Sequence, residues 1–233
     1  GKKMAMFDWK YEDCVMEYAE GFKQIDKLIE LNYDEVFAMK CLKELDNERI
    51  AKDVCERTPL KNVEFLVTAY DACFSPSDWV AVNFIFKHID NLSWFLIGTE
   101  GSDCLREVMK LLQNRCITQL MLVETFGTDD VAVEHVLNTL KDTLCTRNHT
   151  HTNLTLLSLE RFCINDEGVT KMYQFFKNGH ASHLQQLTLN WNRLSQSGIS
   201  KFCEVLESEQ FMKLTSLNFS RNPICDEGAS VLF

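Results

Sequence analysis

Several absences bound what this 233-residue chain does. No apolar run approaches the roughly 20 residues of a membrane span, and the opening Gly-Lys-Lys is followed by Met4, Phe7, Asp8 and Trp9 without the continuous apolar stretch of a secretory signal. There is no basic excess. The net charge is -10 and the pI about 5.1, so no global positive field gathers phosphate backbones, and neither a nucleic-acid nor a membrane partner is expected. No C-x-x-C occurs; the ten cysteines stand singly, mostly among apolar neighbours, and read as reduced, buried thiols of a cytoplasmic protein. The N-x-S/T triplets at Asn91, Asn148, Asn153 and Asn218 are chance matches on this reading, since Asn91 and Asn153 precede predicted strands and Asn218 lies within one.

Catalytic signatures are missing too. No H-E-x-x-H, G-x-S-x-G or G-x-x-x-x-G-K-S/T is found, and none of the six histidines has a nucleophile at a telling spacing. The expectation is a non-enzyme that binds no cofactor within these residues. Cys145, His149 and His151 have zinc-like spacing, but the flanks supply no second ligand pair, so they read as a solvated polar loop. The acidic pairs Asp166-Glu167 and Asp226-Glu227 recur near helix starts, where the positive end of the helix dipole accounts for them.

What is present is a repeat. Leu154, Leu157, Leu159, Ile164 and Gly168 return as Leu184, Leu187, Leu189, Leu194 and Gly198, then as Leu214, Leu217, Phe219, Ile224 and Gly228, each step being 30 residues. The shared L-x-x-L-x-L-x-x-N-x-L, followed by a Gly and a helix-like tail, is a leucine-rich repeat pairing one strand with one helix. The predicted fold is therefore an α/β solenoid with parallel strands on the concave side and helices on the convex side. The helical columns align as well, Val169 with Ile199 and Ala229, and Met172 with Phe202 and Leu232. Phe162 departs from the pattern where Asn192 and Asn222 obey it, which predicts an interruption in the buried asparagine ladder.

Upstream, the pattern loosens. Residues 1–58 carry helical spacing and no strand signal, with Phe22, Ile25, Leu28 and Ile29 on one stripe, then Val36, Met39, Leu42 and Leu45, then Ile50, Ala51, Val54 and Cys55. They read as a small helical domain or cap that seals the array, since repeats cannot bury their own faces and need closed ends. Residues 59–152 read as irregular repeats and 153–233 as regular ones. In the former, Val63, Phe65, Leu66 and Val67 make a strand; Ser75, Pro76 and Asp78 open a helix as N-cap, first position and acidic answer; and Trp79, Val82, Phe86 and Ile89 form its buried stripe. Two further strands follow, at 91–97 and around Ile117, Leu120 and Leu122. The step from Ile117 to Leu154 is 37 residues, and the excess falls in the polar loop after Cys145. The chain starts without an initiator Met and stops a few residues into the helix after Gly228, so it reads as a piece of a longer protein.

The stretches H-L-Q-Q-L-T-L-N-W-N-R-L-S-Q-S-G (183–198) and K-L-T-S-L-N-F-S-R-N-P-I-C-D-E-G (213–228) resemble the ribonuclease-inhibitor-like class of leucine-rich repeats. Helices ahead of them, with S-P-S-D-W-V-A-V (75–82) introducing the first irregular repeat, look like the sensor half of the NOD-like receptors. That resemblance implies a cytoplasmic immune-type receptor with an upstream NACHT nucleotide-binding module, its repeats recognising a protein or microbial ligand and restraining activation. The alternative is a ribonuclease-inhibitor-like or GTPase-activating regulator that binds an enzyme directly.

Strand periodicity of two sends the leucines inward and the residues between them to the concave face. The outward columns are Leu156, Gln186 and Ser216; Ser158, Thr188 and Asn218; Glu160, Asn190 and Ser220; and Arg161, Trp191 and Arg221. The last is the expected hot spot, because strands about 4.8 Å apart would flank Trp191 with two guanidinium groups.

Overall fold

A computed structural model of the chain describes residues 28–44, 46, 48–57, 63–68, 74–113, 117–124, 130–145, 154–178, 182–206, 213–226 and 230. Seven strands make one sheet: β1 (Leu28–Leu31), β2 (Phe65–Thr68), β3 (Trp94–Thr99), β4 (Gln119–Glu124), β5 (Leu156–Glu160), β6 (Gln186–Thr188) and β7 (Ser216–Asn218). Every pairing is parallel and spatial order equals sequence order, so the chain advances one strand per unit. Helices α1 (Tyr33–Glu44) and α2 (Glu48–Arg57) lie between β1 and β2 in sequence. Single helices then alternate with the strands: α3 (Pro76–Phe86), α4 (Gly101–Leu112), α5 (Asp130–Cys145), α6 (Asp166–Lys177) and α7 (Gln196–Leu206). From α3 to α7 each helix packs on the next, as a solenoid of nearest-neighbour contacts requires.

One continuous core fills the space between sheet and helices. Inward strand residues such as Leu66, Phe95, Ile97, Leu120, Leu122, Leu157 and Leu187 meet the helical stripes, among them Trp79, Val82, Phe86, Leu105, Val136 and Phe202. The stripe expected of Trp79, Val82, Phe86 and Ile89 is fully buried. The start of α3 follows the predicted chemistry: the Asp78 carboxylate accepts from the Ser75 amide at 2.8 Å and its hydroxyl at 2.6 Å, Pro76 occupies the first turn, and Lys40 of α1 donates to Asp78 at 2.7 Å. Burial pushes the pKa of Asp78 up, but the bonds from Lys40 and Ser75 outweigh it and hold the carboxyl below its ordinary value. Asn32 caps α1 through the Asp34 amide at 2.8 Å.

The N-terminal region differs from expectation. Leu28 and Ile29 are not on a helical stripe; they belong to β1, which pairs with β2 from Leu28 opposite Phe65 to Leu31 opposite Thr68. A run of four residues, Leu28–Leu31, is too short for periodicity to separate strand from helix, and pairing to the sheet edge decides. Phe22 and Ile25 lie outside the described residues. The third predicted stripe is narrower than supposed: Ala51 and Cys55 are buried while Ile50 is exposed.

The repeats are stitched by side chains as well as strands. Asp166 Oδ2 accepts from the Ser195 hydroxyl at 2.5 Å and Oδ1 from the Ser195 amide at 3.1 Å, one unit further on. A Cβ added at Gly198 would lie 2.3 Å from Asp166 Oδ1, so the glycine makes room for that tie. The N-cap of α6 is Asn165, which accepts from the Glu167 and Gly168 amides. Asp166 thus does more than answer a helix dipole: it joins neighbouring units.

Candidate protein-binding face

Registers along the sheet place the predicted columns as rows across adjacent strands. Leu156 stands opposite Gln186 and Gln186 opposite Ser216, and likewise Ser158, Thr188 and Asn218. Just past the strand ends, Arg161, Trp191 and Arg221 adopt left-handed φ of 61°, 56° and 60°. Such values are unusual for side-chain-bearing residues, and their recurrence at one repeat position shows a backbone set by the repeat. Arg161 takes the same conformation next to Phe162, so the buried asparagines brace the turns at Trp191 and Arg221 without being required for them. Asn192 donates to the carbonyls of Leu159 (2.8 Å), Leu189 (3.0 Å) and Asn190 (3.2 Å) and accepts from the Ile164 amide at 3.0 Å. Asn222 repeats the arrangement with Leu189, Phe219, Ser220 and the Leu194 amide. Phe162, where the pattern lacks its asparagine, is completely buried.

The expected stack is present. The guanidinium carbons of Arg161 and Arg221 lie 5.1 Å and 5.2 Å from the centroid of the Trp191 ring, within cation–π range. Trp191 remains 39% exposed, whereas the leucines beside it, Leu187 and Leu189, are sealed. Gln186, Ser216 and Arg221 are exposed, and Thr188, Asn190, Asn218 and Ser220 half-buried.

Two of the predicted contact residues are not open surface. Ser158 is 2% and Glu160 8% exposed, and Leu156 in the same strand is buried. Their neighbours explain it. Val123 pairs in register with Glu160, and β2 to β4 carry on their concave positions a second apolar cluster of Val67, Trp94, Leu96 and Val123, with Phe65 and Met121 packed against it. The concave face is thus apolar and covered over its first half and polar and accessible from β6 onward. The signal for this was in the sequence: Trp94 to Ile97 and Leu120 to Val123 are continuous apolar runs, as strands buried on both faces are.

Glu160 carries the consequence of its position. Burial pushes its carboxyl up to about 7, with the Asn190 side chain and the Arg161 charge acting in the opposite direction. Its Oε1 is buried without a hydrogen-bond partner among the described residues. Because the folded value lies above the ordinary 4.5, folding takes up a proton in that window: the group's contribution is fully present below about 4.5 and is lost as pH rises through about 7. Glu160→Gln, which keeps the site neutral, is expected to flatten the decline in stability between about pH 5 and about pH 8, measured by urea denaturation. Parallel declines in wild type and variant would refute the assignment.

Among the described residues no group of His, Cys, Asp and Glu is arranged to hold a metal ion. His149 and His151 of the Cys145 loop lie outside those residues. No described helix is long and apolar enough to cross a membrane.

Sheet order, strand–helix alternation and asparagine rungs define a leucine-rich-repeat solenoid. The family model described as Leucine Rich repeat matches residues 180–203 and 212–233, which include Asn192, Asn222, Trp191 and Arg221. No curated protein matches the chain.

Proposed function

We propose that the chain is a non-catalytic protein-interaction module that meets its partner on the concave edge of β5 to β7. The exposed Trp191, held between Arg161 and Arg221 on turns that recur at one position of the repeat, carries this reading. Aromatic and arginine anchors on rigid, water-excluding surroundings are what binding hot spots are made of. The other contact residues are Gln186, Thr188, Asn190, Asn218 and Ser220, with Ser158 and Glu160 supporting from beneath.

In its finer form the proposal is the sensor part of a cytoplasmic NOD-like-receptor-type protein that recognises a protein or microbial ligand and restrains its parent. The S-P-S-D-W-V-A-V box at 75–82 and the order of irregular before regular repeats support it. Residues 59–152 are then the irregular units and 153–233 the regular ones, with β1 and α1 adding an earlier strand and helix inside the region 1–58. Coding sequence upstream of Gly1 tests this form: a P-loop nucleotide-binding module there is expected, and its absence from the full-length gene would sink it.

The binding face is tested separately. Affinity capture with wild type, Trp191→Ala and the convex-side Lys201→Ala is expected to show a partner retained by the first and third and reduced at least tenfold with Trp191→Ala, as loss of a hot spot worth about 2 kcal/mol implies. Unchanged capture by Trp191→Ala would remove the concave edge from consideration.

A further inference from the structure

The apolar half of the concave face is covered, and the described elements do not supply the cover. Its cluster of Val67, Trp94, Leu96 and Val123, with Leu28, Phe65 and Met121 packed against it, is drawn from β1 to β4 alone. The main core on the other side of the same strands takes its partners from the helices. Yet Trp94 is only 3% exposed, and Leu96 and Val123 only 4%. Neighbours in the plane of a sheet cover the flanks of a side chain and leave its tip to solvent, so burial this deep needs a second layer. The burial continues to Leu156 and Ser158 in β5 and stops at β6, where Gln186 is exposed. Five strands at a spacing of about 4.8 Å make a strip about 19 Å wide.

We propose that the chain's own residues 7–25 dock on this strip as an amphipathic helix, with Phe7, Tyr11, Tyr18 and Phe22 against the cluster. Their sequence supports this occupant. Phe7, Tyr11, Cys14, Tyr18, Phe22 and Ile25 follow one another at steps of three and four, with Asp8, Lys10, Glu12, Asp13, Glu17 and Glu20 between them, the pattern of a single apolar face. At 1.5 Å per residue a helix over 7–25 is about 28 Å long, enough to cross the strip. The internal stretches outside the described residues are at most eight residues long and are joined at both ends to described residues. Fully extended they reach under about 30 Å, too little to cross about 19 Å and return. Residues 7–25 are also tethered beside the site: Leu28, three residues after Ile25, opens β1 and is itself packed on the cluster. So short a linker keeps the segment at high effective concentration over the face. The chain thus reserves β1 to β5 for itself and leaves the polar half from β6 onward for a partner, whatever that partner is.

The experiment uses the purified intact chain and reads tryptophan oxidation by hydroxyl radicals with mass spectrometry. Trp79, sealed in the main core, and Trp191, 39% exposed, bracket the scale. In the wild type Trp94 is expected at the level of Trp79. In Phe7→Asp/Tyr11→Asp/Tyr18→Asp its oxidation should rise severalfold, to the level of Trp191, while Trp79 stays protected. Continued protection of Trp94 in that variant would overturn the proposal, because another part of the chain then covers the cluster. Benzoylphenylalanine at Tyr11 of the otherwise unchanged chain gives a photo-crosslinking measurement that decides the matter even if the triple variant unfolds and exposes Trp79 as well. It should join peptides holding 65–68, 94–99 or 119–124 within one molecule. Cross-links to the convex helices, cross-links between two copies, or none to the sheet would each refute the assignment, the second by making the strip an interface between copies.

Discussion

Phe202→Ala is expected to destabilise the chain by about 3–5 kcal/mol, enough to consume a large part of the stability of an ordinary domain. Phe202 is fully buried on α7 and stands between two units. Its ring lies 6.1 Å from Phe176 of α6 and 5.1 Å from Phe219, just after β7, both in edge-to-face geometry. Phe176 in turn meets Phe175 at 5.6 Å. Truncation therefore removes apolar area, opens a cavity, and breaks two ring contacts each worth about 0.5–1.5 kcal/mol beyond their area. The flanking rings belong to adjacent units that gain stability from one another, so collapse around the cavity is limited. Phe37→Ala supplies the contrast. That side chain is 68% exposed on α1, and its loss should shift stability by no more than about 0.5 kcal/mol. Urea denaturation of both variants decides; a cost below about 1 kcal/mol for Phe202→Ala would show that the aromatic column does not couple the units.

The period of 30 residues aligned Phe202 with Met172, and both side chains are fully buried, but the ring contacts of Phe202 run to Phe176 and Phe219, which hold other positions in the repeat. The same period placed Trp191 between Arg161 and Arg221. Local rules were equally readable where the chemistry is confined to a few residues, as in Ser75 and Asp78 at the start of α3. Three features escaped for physical reasons. A strand of four residues at Leu28–Leu31 carries too few positions for its period to be resolved. The period of two tells which side chains leave the sheet on the concave side, but not whether something covers them; hence Ser158 and Glu160, which the pattern puts at the surface, are buried. Asp166 bonds to a serine 29 residues away, a pairing that depends on the stacking of units and has no local signature. The threonines that tie strand starts, with Thr155 donating to the Thr118 carbonyl and Thr215 to that of Gln185, belong to the same class.

The asparagine rung makes the second strong prediction, since its position was legible and its strength is a matter of burial. In Asn192→Leu the side chain keeps its approximate volume but loses every polar contact. The Ile164 amide and the Leu159 carbonyl then have no Asn192 to bond, at a site where the side chain was 5% exposed. Each buried group left unsatisfied costs about 1–3 kcal/mol, so a total loss of about 3–5 kcal/mol is expected. Asn222→Leu should cost less, about 1–2 kcal/mol, because Asn222 is only half-buried and water can replace part of what is lost. Phe162 shows how the structure manages without a rung: the position is filled by a fully buried ring, so Phe162→Asn would trade that apolar filling for a polar group and is not a repair. Hydrogen exchange gives a residue-level check that global denaturation does not. Asn192→Leu should release protection at the Ile164 amide, and Asn222→Leu at Leu194. If Ile164 stays protected in Asn192→Leu, another acceptor serves that amide and the rung does not brace the turn beneath Trp191.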